Sequence, residues 1–372
     1  MLRIRHALPC NATLIAMKLS LIFLAGALFA ATPQTVVSGA GYFPVLIKLK
    51  DGRLAAILRA GAPHIGRGGR LDWITSRDQG HTWTSPAVLI DTPEDDRNPA
   101  FGQLKDGTML AAYCILSGYD AAGKLSAARK DRVFDGVYLM RSTDGGKTWS
   151  PGQRLPGTSK PPGVPNVVSA AVSPYGKIVQ LKDGTALMAV YYEATFGDGT
   201  QQFQSWLFRS HDGGQTWGEP ALIQLDGNET ALAVLKDGTV LAAVRTSRTG
   251  YLRVTRSTDG GRTWASSVKV TQDAEHPADL IQLQDGRVLM TFGQRNAPRG
   301  IDGWLSDDTG LTWKPEHRQT LASDAPNVDC GYPSSVETKR GKITTIYYQV
   351  DDAENTPASA KAQVIQWQVS NK

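Results

Sequence analysis

One eight-residue string, Ser-x-Asp-x-Gly-x-Thr-Trp, stands five times in this chain: SRDQGHTW at 76–83, STDGGKTW at 142–149, SHDGGQTW at 210–217, STDGGRTW at 257–264 and SDDTGLTW at 306–313. Near-copies at this period mark an internal repeat, in which one supersecondary unit cannot bury its apolar face alone and must pack on its neighbours. Within the string, Ser, Asp and Thr side chains suit the backbone of a tight turn, and Gly supplies a conformation other residues resist. Trp carries a large apolar face for burial between sheets. No active site needs five copies of one carboxylate, so Asp78, Asp144, Asp212, Asp259 and Asp308 are read as structural.

A second repeat sets the strands. Apolar runs flank an Asp-Gly pair in IKLKDGRLAAIL, GQLKDGTMLAAY, VQLKDGTALMAVY, AVLKDGTVLAAVR and IQLQDGRVLMTFG, and a sixth copy, VETKRGKITTIYY, carries Arg340 in place of the aspartate. Asp-Gly between alternating apolar stretches is a strong hairpin signal, because the turn needs positive φ. The turns sit at Asp51, Asp106, Asp183, Asp237, Asp285 and Arg340, spaced 48 to 77 residues apart. Each of the first five hairpins is followed by an apolar strand, a box and another strand, which makes a four-stranded antiparallel unit. Radial repetition of such units predicts an all-β fold, a six-bladed β-propeller of four-stranded antiparallel blades. Residues 32–372 form one domain in this reading, with no linker or low-complexity tract to divide them. The longest insertions, 118–134 and 151–168, are expected as loops over one face.

Residues 1–31 stand apart from the fold. Met17-Lys18 opens a short basic region, with Met17 a possible start, and LSLIFLAGALFAA follows it and ends in small residues. That pattern reads as a signal peptide, too short for a spanning helix, and implies an exported protein, periplasmic or extracellular. No other apolar run is long enough to cross a membrane. Cys114 and Cys330 are expected as buried thiols. The net charge of +5 lies partly in the leader and gives no reason to expect nucleic acid.

In a meander the turn between strands 1 and 2 and the turn between strands 3 and 4 lie at the same end. The Asp-Gly turns and the boxes therefore share one face, and a ligand pocket belongs on the other. Counting from each turn finds residues at equal depth there. Eight before the turn stand Phe43, Asn98, Tyr175, Glu229, Pro277 and Tyr332; nine before, Tyr42, Arg97, Pro174, Asn228, His276 and Gly331; eight after, Arg59, Cys114, Tyr191, Arg245, Gly293 and Tyr348. Charged residues gather at this rim although nearby strand positions are apolar, and buried charge is costly unless paired or functional.

Three local strings carry a resemblance beyond the boxes: GNETALAVLKDGTVLAAVR, RGIDGWLSDDTGLTW and CGYPSSVETKRGKITTIYY, with DRNPAFGQLKDG as a weaker fourth. Over residues 36–369 the chain resembles the sialidase (neuraminidase) superfamily, whose catalytic domain is a six-bladed propeller with Asp boxes. The resemblance implies a tyrosine nucleophile at Tyr332, its base at Glu229, and carboxylate-binding arginines at Arg245 and Arg299. It implies an exported exo-α-sialidase that releases terminal sialic acid with retention. The chemistry suits these residue types. A sialoside carries a carboxylate beside its anomeric carbon; arginine forks grip a carboxylate, while a neutral tyrosine avoids the repulsion a carboxylate nucleophile would meet.

Two departures stand out. Where the family begins its first blade with Phe-Arg-Ile-Pro, this chain has Gly-Tyr-Phe-Pro, so Tyr42 replaces the first arginine, and Arg59 or Arg97 is a candidate substitute. The family's general acid lies in the loop after the second strand; here RAGAPHIGRGGRLDW offers Asp72 or His64. Asp95, Asp96 and Asp279 are further rim carboxylates, and His276 is a candidate for substrate hydroxyls. Two rival readings follow: a glycosidase for another acidic or deoxy sugar, and a non-catalytic propeller that binds glycan or protein. The partner expected is a glycan, the protein a monomer, and no metal or organic cofactor is implied by any motif.

Overall fold

A computed structural model describes residues 32–39, 41–127, 132–247, 250–351, 356 and 359–369. Residues 1–31, expected from the sequence as a signal peptide, and residues 128–131 of the first insertion lie outside the described residues. Among the described residues all of the long elements are strands, and they fall into the repeats read from the sequence. The first unit holds β2 (Tyr42–Lys48), β3 (Leu54–Ala60), β4 (Arg70–Ser76) and β5 (Ala87–Ile90); β1 (Gln34–Ser38) lies before it. The second holds β6 (Asp95–Gln103), β7 (Met109–Ser117), β8 (Val133–Ser142) and β9 (Gln153–Arg154). The third holds β10 (Val167–Gln180), β11 (Ala186–Phe196), β12 (Gln201–Ser210) and β13 (Gly218–Leu225). The fourth holds β14 (Gly227–Val234), β15 (Val240–Thr246), β16 (Leu252–Ser257) and β17 (Val268–Lys269). The fifth holds β18 (Glu275–Gln282), β19 (Val288–Gln294), β20 (Gly300–Ser306) and β21 (Arg318–Ala322). The last holds β22 (Cys330–Lys339), β23 (Lys342–Val350) and β24 (Ala360–Gln368), and β1 pairs antiparallel with β24 to complete it.

The arrangement is all-β and propeller-like, but the expectation of six separate blades needs correcting. Among the described residues hydrogen bonding gives five sheets, four of four strands and one of eight, in which β6 and β10 pair in parallel at Ala100–Gly176 and Phe101–Lys177. The cause is a close backbone approach. A Cβ on Gly102 would lie 2.2 Å from the Ile178 carbonyl oxygen, so only glycine lets these inner strands meet.

Each box is built alike. Ser306 Oγ donates to Asp308 Oδ1 at 2.7 Å and accepts from the Gly310 N–H at 2.9 Å; Thr312 donates both its N–H and its hydroxyl to Asp308. The Asp212 and Asp308 carboxyls sit at about 2: burial would raise them, but the Thr, Ser and backbone donors more than offset it. Box tryptophans fill the seams between units, as Trp149 does beside Val45, Ile57 and Phe101, and Trp83 beside Val336 and Ile346. The last unit lacks a box, and Trp367 of β24 packs with Leu289 and Ile301 in the corresponding seam. Turn amides latch neighbouring units: Lys50 N–H donates to Gln103 at 2.8 Å, Lys105 to Gln180 and Lys236 to Gln282, each at 2.7 Å. Ser306→Ala strands the buried Gly310 N–H, so a loss of about 1–3 kcal/mol is expected in urea unfolding. A loss of less than half of that would put the box's strength elsewhere.

Cys114 and Cys330 are buried free thiols, and burial pushes them up to about 12 and about 11. No helix among the described residues is long and apolar enough to cross a membrane.

Candidate active site

The innermost strand of every unit breaks its register at the rim residues or, in the third unit, just after them. The breaks lie between Tyr42 and Val45, Arg97 and Ala100, Tyr175 and Val179, Gly227 and Thr230, Glu275 and Ala278, and Gly331 and Ser334. A bulge re-aims a side chain that strict alternation would send into the sheet face. Phe43, Asn98 and Tyr332 take left-handed backbone there, with φ of 53°, 52° and 51°. For an aromatic residue that conformation is an outlier, held only where its surroundings over-determine it.

The bulges bring Glu229, Arg245 and Tyr332 together. The Tyr332 hydroxyl donates to Glu229 Oε1, and Arg245 Nη1 donates to Glu229 Oε2 at 2.6 Å. Tyr332 and Glu229 are buried, while Arg245 keeps part of its side chain exposed. The Tyr332 ring packs on Phe43 (4.9 Å between centroids), Tyr348 (5.5 Å) and Tyr175 (6.1 Å). Burial, and then the Glu229 charge, push the Tyr332 hydroxyl well above its ordinary value, against the pull of Arg245 and Arg295. Tyr332 is therefore a neutral phenol already bonded to a group that can take its proton.

Arg295 was missed by the count from the turns. Its guanidinium lies 5.8 Å from the Tyr332 ring centroid. Gly293 holds the expected position, and Arg295 stands two residues on, just past the end of β19, where its N–H donates to the Ala274 carbonyl. The Nε atoms of Arg245, Arg295 and Arg299 are buried with no hydrogen-bond acceptor among the described residues. Buried donors of this kind favour an anion brought to them. Arg299 bears electrostatically on Cys330, two residues from Tyr332.

Arg59 is corrected as a substitute for the first arginine. It is fully buried and spends all five donors: two on Asp95 Oδ1 (2.9 and 2.6 Å) and the rest on the carbonyls of Ala62, Pro63 and Gly66. Arg97 donates to Asp95 Oδ2 at 3.1 Å and lines a cavity of about 220 Å³ with Asn98, Tyr191 and Asn228. Tyr42 is buried among Phe43, His64 and Tyr348, with the Arg59 guanidinium 5.7 Å from its ring.

The remaining candidates divide. Asp72 lies inside β4, not in the loop, buried and paired with Arg70 at 2.9 Å. Asp96 accepts from the Thr92 N–H (2.7 Å) and hydroxyl (3.0 Å), and burial raises its carboxyl to about 6. Asp279 pairs with Lys177 at 2.6 Å and accepts from the Ser335 N–H at 2.7 Å, a strut between inner strands. The buried His276 imidazole is held neutral by burial, then by Arg245 and Arg295. His64 Nδ1 lies 2.9 and 3.0 Å from the oxygens of Asp329, and its ring is 5.0 Å from the Phe43 ring. Asp329 also accepts from the Tyr348 hydroxyl at 2.5 Å. Neither Asp329 nor Tyr348 was singled out in advance as a partner of His64. A larger concavity of about 1150 Å³, lined by Asn166, Phe196, Phe203 and Leu225, lies where β10 and β12 of the third unit start and β11 and β13 end.

Comparison with known proteins bears on the family and the fold. The model of the BNR repeat-like domain family matches residues 94–345. A sialidase of Bacteroides fragilis (strain YCH46) is 28% identical over 196 residues, 50% of this chain and 35% of that protein. A sialidase of Micromonospora viridifaciens is 33% identical over 148 residues, 39% of this chain and 22% of that protein. The chain thus spans only about a third and about a fifth of the length of these two relatives. A crystal structure of a Dyadobacter fermentans protein of unknown function is similar with a TM-score of 0.76 and 25% identity, over 93% of this chain and 100% of that one.

Proposed function

The chain belongs to the BNR repeat-like family of the sialidase superfamily, and on that premise we propose that it is a retaining exo-glycosidase for acidic sugars, with terminal sialic acid the first candidate. The eight-stranded sheet is read here as two blades joined at their inner strands, which gives a six-bladed propeller. The observation that carries the proposal is the chain of contacts from Tyr332 to Glu229 to Arg245, buried at the mouth where the inner strands converge.

In the first half-reaction the Tyr332 oxygen bonds to the anomeric carbon as the bond to the leaving oxygen breaks. The phenolic proton passes to Glu229. Arg245, with Arg295 and Arg299, holds the sugar carboxylate, so the nucleophile must start neutral, and burial keeps it so. In the second half-reaction water attacks the same carbon, the phenolate leaves, and the proton returns from Glu229.

One observation favours a sugar other than sialic acid. Tyr42 is buried where the superfamily has an arginine, and Arg59 has no donor left to replace it. The test is a panel of 4-nitrophenyl glycosides: the α-ketoside of N-acetylneuraminic acid beside uronic and deoxy sugars. Release of nitrophenol from the sialoside, with KM at least tenfold higher in Arg245→Ala, is the expected result. Release only from a uronide moves the substrate class. A protein that turns over no member of the panel leaves a binding propeller instead.

A further inference from the structure

The reaction needs a proton donor for the leaving oxygen, and the carboxylates offered for it are engaged elsewhere. Asp72 pairs with Arg70, Asp95 with Arg59 and Arg97, and Asp279 with Lys177, while both oxygens of Asp96 accept from Thr92. Glu229 is committed to Tyr332 and Arg245. His64 differs from these. Its ring packs edge-on against Phe43, which packs in turn on Tyr332, and its side chain is 30% exposed at the mouth. Asp329 takes up Nδ1 with both oxygens near 3 Å and is itself fixed by the Tyr348 hydroxyl. A carboxylate behind an imidazole selects the tautomer and orients the ring, so that proton exchange runs through the other nitrogen.

We propose that the His64–Asp329 pair is the acid and base of this site, a deepening that rests on the glycosidase reading above. In the first half-reaction the Nε2 proton of imidazolium passes to the leaving oxygen as the glycosidic bond breaks. In the second, Nε2 takes a proton from the attacking water, and the sugar is released with its new hydroxyl. Asp329 is the positioning residue. The charged and titratable groups around the imidazole come from several elements: Asp329 ahead of β22, Tyr348 of β23 behind it, Tyr42 of β2, Arg59 of β3 and Arg97 of β6, with Arg295 acting on Asp329. Burial pushes the imidazole down, Asp329 pushes it up, and Arg97 and Arg59 push it down again, so it titrates below its ordinary value. The donor form is thus present at acid pH and lost as pH rises.

The test compares two leaving groups on the acidic sugar the enzyme accepts: an unactivated one, galactose, and an activated one, 4-nitrophenol. His64→Asn keeps an N–H for Asp329 and is expected to lower kcat/KM for the galactoside by about 10²–10⁴-fold. The nitrophenyl glycoside, which leaves without help, should lose less than about tenfold. Wild type acting on the galactoside should lose kcat/KM on the alkaline side through a pKa below about 6.5, and this limb should vanish in His64→Asn. Asp329→Asn should move the limb to lower pH and reduce galactoside turnover only. If His64→Asn does not fold, Asp329→Asn carries the comparison. Equal losses on both leaving groups, with the limb unmoved, overturn the pair and leave the glycosidase reading standing. Wild type turning over no acidic glycoside overturns both.

Discussion

Tyr332→Phe is expected to lower kcat by about 10³-fold or more on the glycoside that wild type accepts, with KM changed less than about threefold. The substitution removes one oxygen. The ring contacts with Phe43, Tyr175 and Tyr348 remain, so the left-handed backbone at this position keeps its support. Glu229 loses one donor but retains Arg245, and the stability change should stay within about 1–2 kcal/mol. In the proposed mechanism the arginines and not the phenol hold the sugar carboxylate, so binding should survive the loss of the bond-forming atom. A variant within tenfold of wild type in kcat would remove Tyr332 as nucleophile. A variant that loses kcat together with several kcat-independent signs of unfolding would locate its role in the core. Glu229→Gln separates the two, since it keeps an acceptor for the phenol but no longer takes its proton.

Much of this site could be read in the sequence because its determinants are local. Asp-Gly turns fix where each hairpin starts, and a fixed offset from the turn then reaches a fixed depth. That count placed Glu229, Arg245 and Tyr332 at one level, and the structure joins them by hydrogen bonds. What escaped depends on contacts between distant segments. The fusion of the second and third units turns on a missing Cβ at Gly102 against Ile178. Arg295 stands two residues beyond the counted position, and a count with one offset passes over it. Asp329 reaches His64 across 265 residues, and no periodicity relates them. Arg59 was a reasonable candidate by type and depth, yet donor accounting, which needs coordinates, shows it spent on Asp95 and three carbonyls.

Asp95→Ala should be the most destabilising single change at the mouth, by about 3–5 kcal/mol. Asp95 and Arg59 are both fully buried, and Arg97 and the Tyr119 hydroxyl (2.8 Å) complete the carboxylate's partners. Removing the carboxylate leaves the fully buried Arg59 guanidinium without a counter-charge. The loss should lower the melting temperature by about 4–7 °C in a domain of this length. Arg59 also ties down the loop that carries His64, through the carbonyls of Ala62, Pro63 and Gly66. The other side of that loop is pinned by the Gly68 N–H to Glu94 and the Asp96 N–H to Gly69, so its position depends on both neighbours of Asp95. Turnover of an unactivated glycoside should therefore fall further than stability alone explains, below the melting transition. The diagnostic is the double variant. Arg59→Met with Asp95→Ala removes the stranded charge and should recover at least half of the lost stability, because most of the penalty belongs to the charge left behind and not to the bond itself. It should not recover activity, since methionine cannot hold three carbonyls. If Asp95→Ala melts within about 1–2 °C of wild type, a shift worth only about 1 kcal/mol, or if the double variant is no more stable than the single, the ion pair is not what fixes this loop.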